Sequence, residues 1–138
     1  MASGEWGGKV SDARIRSYRD LTIWQDAMTL AETVYRLTSA FPKDELYGMT
    51  SQMRRASVSI AANIAEGHGR EHTKPFIQFL RIAQGSLKEL ETHFLLAERV
   101  GLLASEQTAE PIIQCTSLGK RMRSLIRSLQ ERIGATKD

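Results

Sequence analysis

Five cations crowd one short stretch near the C-terminus: Lys120, Arg121, Arg123, Arg127 and Arg132, with Glu131 the one acid among them. Residues 118 to 138 carry a net charge of +4, and the rest of this +3 chain sums to −1, so the whole basic excess sits at that end. Clustered Lys and Arg on one helix are the footprint of phosphate binding, which works by counterion release and carries no base preference. Two other readings stay open. Positive side chains near a helix C-terminus are favoured by the helix dipole and by solubility, and they also suit an acidic surface on a protein partner. No aromatic residue interleaves these arginines, so base stacking by this segment is not indicated.

Other chemistry finds less support. A di-metal site in a helical bundle needs Glu-x-x-His pairs, and the sequence has none; Glu89 and His93 stand four apart, and His68 and His72 flank a glycine, each pair without further ligands. Ser57, Ser59 and Ser86 lack a nucleophile-elbow motif. Cys115 shares its spacing with Leu118, Met122, Leu125 and Leu129, which makes it a core thiol. Being the one cysteine, it forms no internal disulfide. The expectation is a non-catalytic protein with no cofactor and no metal.

A second polar constellation is a line of Gln52, Arg55, Ser59, Asn63 and Glu66 on one helix, matched by Ser86, Glu89 and His93 on the next. Facing each other, these lines would pair Arg55 with Glu89 and let Asn63 bond across a gap kept narrow by Gly85 and Ser86, fixing helix register. The alternative is a solvated face.

The elements that must position these groups are helices. Apolar residues recur at three and four apart in Leu21, Trp24, Met28, Ala31, Val34 and Leu37, then in Met49, Met53, Ala56, Ile60 and Ile64. A third series is Phe76, Leu80, Ala83, Leu87, Leu90, Phe94 and Ala97, and a fourth is Ile112, Cys115, Leu118, Met122, Leu125, Leu129 and Ile133. The predicted helices span about 21–40, 44–66, 73–100 and 105–133. Phe41-Pro42 ends the first, Gly67-His68-Gly69 supplies a left-handed cap for the second, and Gly101 closes the third. Gly48 is a weak point near the start of the second. Thr73 is the expected N-cap of the third helix, and Ser105 or Thr108 that of the fourth, where Pro111 sits deep for a start at 105. Short loops and no strand-like alternation give an all-α, antiparallel up-down-up-down four-helix bundle over residues 18–134.

Residues 1–17, with Gly4, Gly7 and Gly8 and no apolar period, read as a disordered arm. At 138 residues, 41% hydrophobic and 25% charged, the chain fits one globular domain. No apolar run approaches the ~20 residues of a membrane span, and the N-terminal residues lack the order of a secretory signal, so a cytoplasmic location is expected. Several apolar or small residues lie off the core series: Val58, Ala62, Ile77, Phe79, Ile82 and Leu95. Either they reflect helix propensity alone, as the alanines can, or they cover a contact with further copies of the chain.

The segments Gln52-Met-Arg-Arg-Ala56, Ser59-Ile60 and Asn63-Ile-Ala-Glu-Gly67 resemble the signature of the four-helix bundle family named after the 23S rRNA intervening sequence protein. Asp20-Leu-Thr-Ile-Trp-Gln-Asp-Ala27 is similar to its opening helix, Phe41-Pro42 and Glu45-Leu46-Tyr47-Gly48 to its first turn, and Ile82-Ala-Gln-Gly-Ser-Leu87 with Glu89-Leu90-Glu91 to its third helix. The resemblance runs from about Tyr18 to Gln130. One departure is Ala61, where many relatives carry proline, so a straighter second helix is expected here. The resemblance implies a homo-oligomer, commonly a ring of five bundles. It also implies a non-catalytic role beside nucleic acid, RNA or DNA; relatives include the accessory variability protein of diversity-generating retroelements, which works with a reverse transcriptase. A structural scaffold or adaptor for a protein partner, without nucleic-acid contact, is the competing expectation.

Overall fold

The computed structural model describes residues 15–137 and contains four long helices and no strand among them. These are α1 (Thr22–Thr38), α2 (Ser51–Gly69), α3 (Thr73–Arg99) and α4 (Ser105–Lys137). Each packs on its neighbours in sequence and α1 closes on α4, which is the up-down-up-down bundle. The arm expected over residues 1–17 falls outside the described residues except at its end. There Ile15 leans on the core, and Ser17 Oγ accepts the Arg19 amide while Asp20 accepts those of Arg16 and Ser17. This capped turn leads into buried Leu21.

The third series forms the core as spaced, with Phe76, Leu80, Ala83, Leu87, Leu90, Phe94 and Ala97 all buried; of the fourth, Cys115, Leu118, Met122, Leu125 and Leu129 are buried, while Ile112 and Ile133 at its ends are half-buried against them. In α1, Leu21, Ala31 and Val34 of the expected series are buried and Trp24 and Leu37 are half-buried, but the arc is centred between them and also takes in Ile23, Ala27 and Leu30. That arc must face both α2 and α4, so Met28 falls at its edge and is exposed.

The second helix departs most from expectation. One wide turn (Leu46–Thr50) precedes it, where Gly48 leaves helical dihedrals at φ −110° and ψ −111°, and regular α2 starts only at Ser51. Its far end runs on through Gly69, and the left-handed residue that follows is Glu71 (φ 62°), not a glycine. Gly67 is therefore no cap. It is buried where α2 meets α3, and a Cβ there would stand 2.6 Å from the Phe79 Cβ and 3.0 Å from a Phe76 ring carbon. α2 is uninterrupted across Ala61.

At the other loops, Thr73 is the first residue of α3 rather than its cap, which is His72 without a side-chain bond. Gly101, at φ 84°, does close α3. α4 starts at Ser105, where Gln107 Oε1 accepts the Ala104 amide at 2.8 Å. Thr108 turns inward instead, donating to Glu98 Oε1 at 2.7 Å and tying the end of α3 to the start of α4. Pro111 is accepted inside α4, at the loss of the amide that the Gln107 carbonyl would otherwise receive.

The close approach at Gly67 gives a paired expectation. Gly67→Ala overpacks the α2–α3 contact and lowers the unfolding free energy by about 1–3 kcal/mol. Gly85→Ala, where a Cβ meets nothing within 4 Å, gains up to ~1 kcal/mol from helix propensity. Urea midpoints at unchanged slope measure both.

Candidate nucleic-acid interface

The cations of α4 do not form one surface. At about 100° per residue, Lys120, Arg123 and Arg127 fall within an arc of roughly 60° pointing away from the core stripe, while Arg121 and Arg132 lie on the flank toward α1. Lys120, Arg123 and Arg127 are exposed and form no ion pair among the described residues. Arg121 is engaged: its Nη2 stands 2.7 Å from Asp26 Oδ2 of α1, with both side chains part-exposed. The sequence assigned it to the open surface because nothing local reveals a carboxylate contributed by another helix. Arg132 is exposed one residue from Glu131.

The facing polar lines of α2 and α3 are real at their centre. Ser59 Oγ and Ser86 Oγ share a hydrogen bond of 2.8 Å across the helices. Asn63 does not bond across the gap as expected: its Nδ2 donates within α2, to the Ser59 carbonyl at 2.8 Å and the Ser59 hydroxyl at 3.0 Å, because that residue stands one turn back on the same face. The expected Arg55–Glu89 pair is absent. Glu89 meets His93 of its own helix at 3.3 Å, Glu66 pairs with Arg70 at 2.8 Å, and Arg55 and Gln52 point to solvent. Nor does Gly85 set the spacing, since it is exposed with open space around it.

Of the residues expected at a contact between copies, Val58 (46%), Ala62 and Ile82 (51%) are exposed, where α2 and α3 run side by side. Ile77 is not available; at 8% exposure it completes the core. Phe79 is half-buried, with the Arg70 guanidinium 5.1 Å above its ring. Leu95 is exposed but lies about 140° around α3 from Ile82, on the side toward α4.

The profile of the 23S rRNA-intervening sequence protein family matches residues 19–124, from the turn before α1 well into α4. The chain belongs to this family. Its fold is similar to the crystal structure of a protein with unknown function from the S23 ribosomal protein family of Bacteroides thetaiotaomicron. The two share a TM-score of 0.71 and 24% identity over 77% of this chain and 96% of that one. No curated protein matches the chain significantly.

No cluster of three or more His, Cys, Asp or Glu side chains among the described residues is placed to hold a metal. Burial pushes the Cys115 thiol up to about 12, so almost none of it is thiolate at neutral pH. Asp20 is held below the usual carboxylate range by the amides of Arg16 and Ser17. No described helix is long and apolar enough to cross a membrane.

Sequence reasoning missed two residues that shape the surface. Arg54, which the 3.6-residue period leaves beside the core stripe, lies 4.5 Å over the Tyr35 ring and donates from Nε to Thr38 Oγ1 at 2.9 Å. Tyr47 follows no apolar series and is 90% exposed. Together with Leu46, Arg55 and Val58 these side chains line an open groove of about 670 Å³ at the α1–α2 end of the bundle. The one available signal was Leu46-Tyr47 just before Gly48, two large residues outside any helical stripe.

His68, edge-on to Phe76, has its pKa lowered by burial, with Glu71 and Asp20 opposing more weakly. A base depressed in the folded state favours unfolding once the unfolded chain protonates. Stability should therefore be level above pH 6.5, the ordinary histidine value, and fall as pH drops through it until the folded pKa is passed. Denaturation midpoints from pH 8 to pH 5 should show a shallower fall in His68→Gln than in the unsubstituted protein.

Proposed function

We propose that this protein is a non-catalytic, cytoplasmic homo-oligomer that holds an RNA or DNA backbone on the outward stripe of α4. The observation that carries the reading is the stripe itself. Lys120, Arg123 and Arg127 share one exposed face and form no ion pair among the described residues, with Glu131, one turn beyond Arg127, the acid at the end of that face. Three like charges on one face, left unpaired, gain little for the fold and suit a polyanion, whose condensed counterions they release. Membership of a family named for an intervening sequence of 23S rRNA agrees with such a ligand.

Self-association supports the reading because it would repeat the stripe. The exposed Val58, Ala62 and Ile82 give α2 and α3 an outer face whose small and apolar side chains suit close contact with another copy. A ring, with five subunits as the expected number, would turn three weak charge contacts into many held at high effective concentration.

Binding of generic RNA and duplex DNA measured from low to high salt tests this. A steep log–log slope is expected, reduced by about one for each of Lys120→Ala, Arg123→Ala and Arg127→Ala. Arg121→Ala, whose charge is already matched by Asp26, should leave the slope nearly unchanged. Undetectable binding at low salt would favour the scaffold reading, in which α4 serves solubility and a protein partner is the ligand. Light scattering checks assembly: a multimer is expected, and Ile82→Glu should reduce its mass.

A further inference from the structure

The groove at the α1–α2 end lies away from the α4 stripe and has a composition of its own. Its walls carry two guanidiniums, Arg54 and Arg55, and no carboxylate. Its apolar surface comes from two tyrosine rings, Tyr35 and Tyr47, with Leu46 and Val58. Arg55 has no ion pair among the described residues. Arg54 is fixed in place by Thr38 and the Tyr35 ring, so one charge is preorganised. Tyr47 is held on the wide turn before α2 and offers nearly its whole ring to solvent.

An occupant that complements this surface is anionic and presents flat, weakly polar faces. Duplex nucleic acid hides its base faces in the stack, whereas an unpaired strand presents them beside its phosphates. The groove's volume, about 670 Å³, lies within the ~300–1,000 Å³ of ordinary ligand clefts. It is open to solvent, which suits a strand passing through more than an enclosed nucleotide.

We propose that this groove is a second, distinct nucleic-acid site, in which an unpaired base stacks on Tyr47 while Arg55 and Arg54 hold the flanking phosphates. It rests on the reading that the protein binds nucleic acid, but on other residues than those of α4. Division of labour follows: α4 takes backbone of any form, and the groove selects single-stranded segments. Val58 lines this groove and is also one of the residues expected at a contact between copies, whereas Tyr47 belongs to the groove alone.

The test compares a labelled oligouridylate with a DNA duplex of equal length on the full chain. Tyr47→Ala should weaken oligouridylate binding about tenfold and leave duplex binding unchanged, and Tyr47→Trp should restore it. Arg55→Ala should lower the oligouridylate salt slope by about one. The variant lacking Lys120, Arg123 and Arg127 reads the other surface. If it binds as the unsubstituted protein does while Tyr47→Ala fails, the α4 reading falls and the groove stands. Unchanged oligouridylate affinity in Tyr47→Ala overturns the groove proposal. So does a lower assembly mass in Tyr47→Ala, which would make the groove a contact between copies. Tyr47-dependent binding of a Glu–Tyr copolymer without oligouridylate binding also overturns it, in favour of an acidic peptide.

Discussion

The contact between α2 and α3 sets the frame for the rest of the molecule. Gly67 lets the two backbones approach until there is no room for a Cβ against Phe79 and Phe76. Farther along, the pair of small hydroxyls Ser59 and Ser86 keeps the helices close enough to share a 2.8 Å hydrogen bond. Asn63 completes that seam by bonding the Ser59 carbonyl and hydroxyl, so a half-buried polar line is satisfied by groups of only two helices. A register slip would break the Ser59–Ser86 bond and drive a side chain into the Gly67 contact together, which is how one close approach fixes the relative position of two long helices.

With that pair fixed, α1 and α4 complete the core, and what they leave outside is decided by which arcs the core consumes. Ile77 is drawn in and Met28 is left out. On α4 the same selection separates charges that are neighbours in sequence. Arg121 turns toward Asp26, while Lys120 and Arg123 turn outward. The functional proposals depend on this sorting more than on the charge total. An exposed ion pair such as Arg121–Asp26 contributes little stability, but it removes a cation from the surface available to phosphate.

The two proposed surfaces differ in kind. The α4 stripe is charge without rings, suited to a backbone; the α1–α2 groove is charge with rings, suited to unpaired bases. The groove exists because the chain is irregular there. Gly48 breaks the helical dihedrals, the wide turn carries Leu46 and Tyr47 away from the core, and α2 begins late, at Ser51.

The four helices, most of their core residues, the Gly101 cap and the placement of the basic excess were legible in the sequence, because each is a local property. A 3.6-residue period and a glycine at positive φ need no knowledge of what lies across the bundle. The family signature between Gln52 and Gly67 was likewise readable from the residues alone. Only the tertiary structure decided that Gly67 is a packing residue and not a cap, that Arg55 lacks the Glu89 partner its spacing suggested, and that Arg121 has one in Asp26. Each of these turns on a distance between side chains of different helices, or on how far a helix continues. Periodicity names the face a residue occupies; what stands opposite that face is settled only when the helices pack.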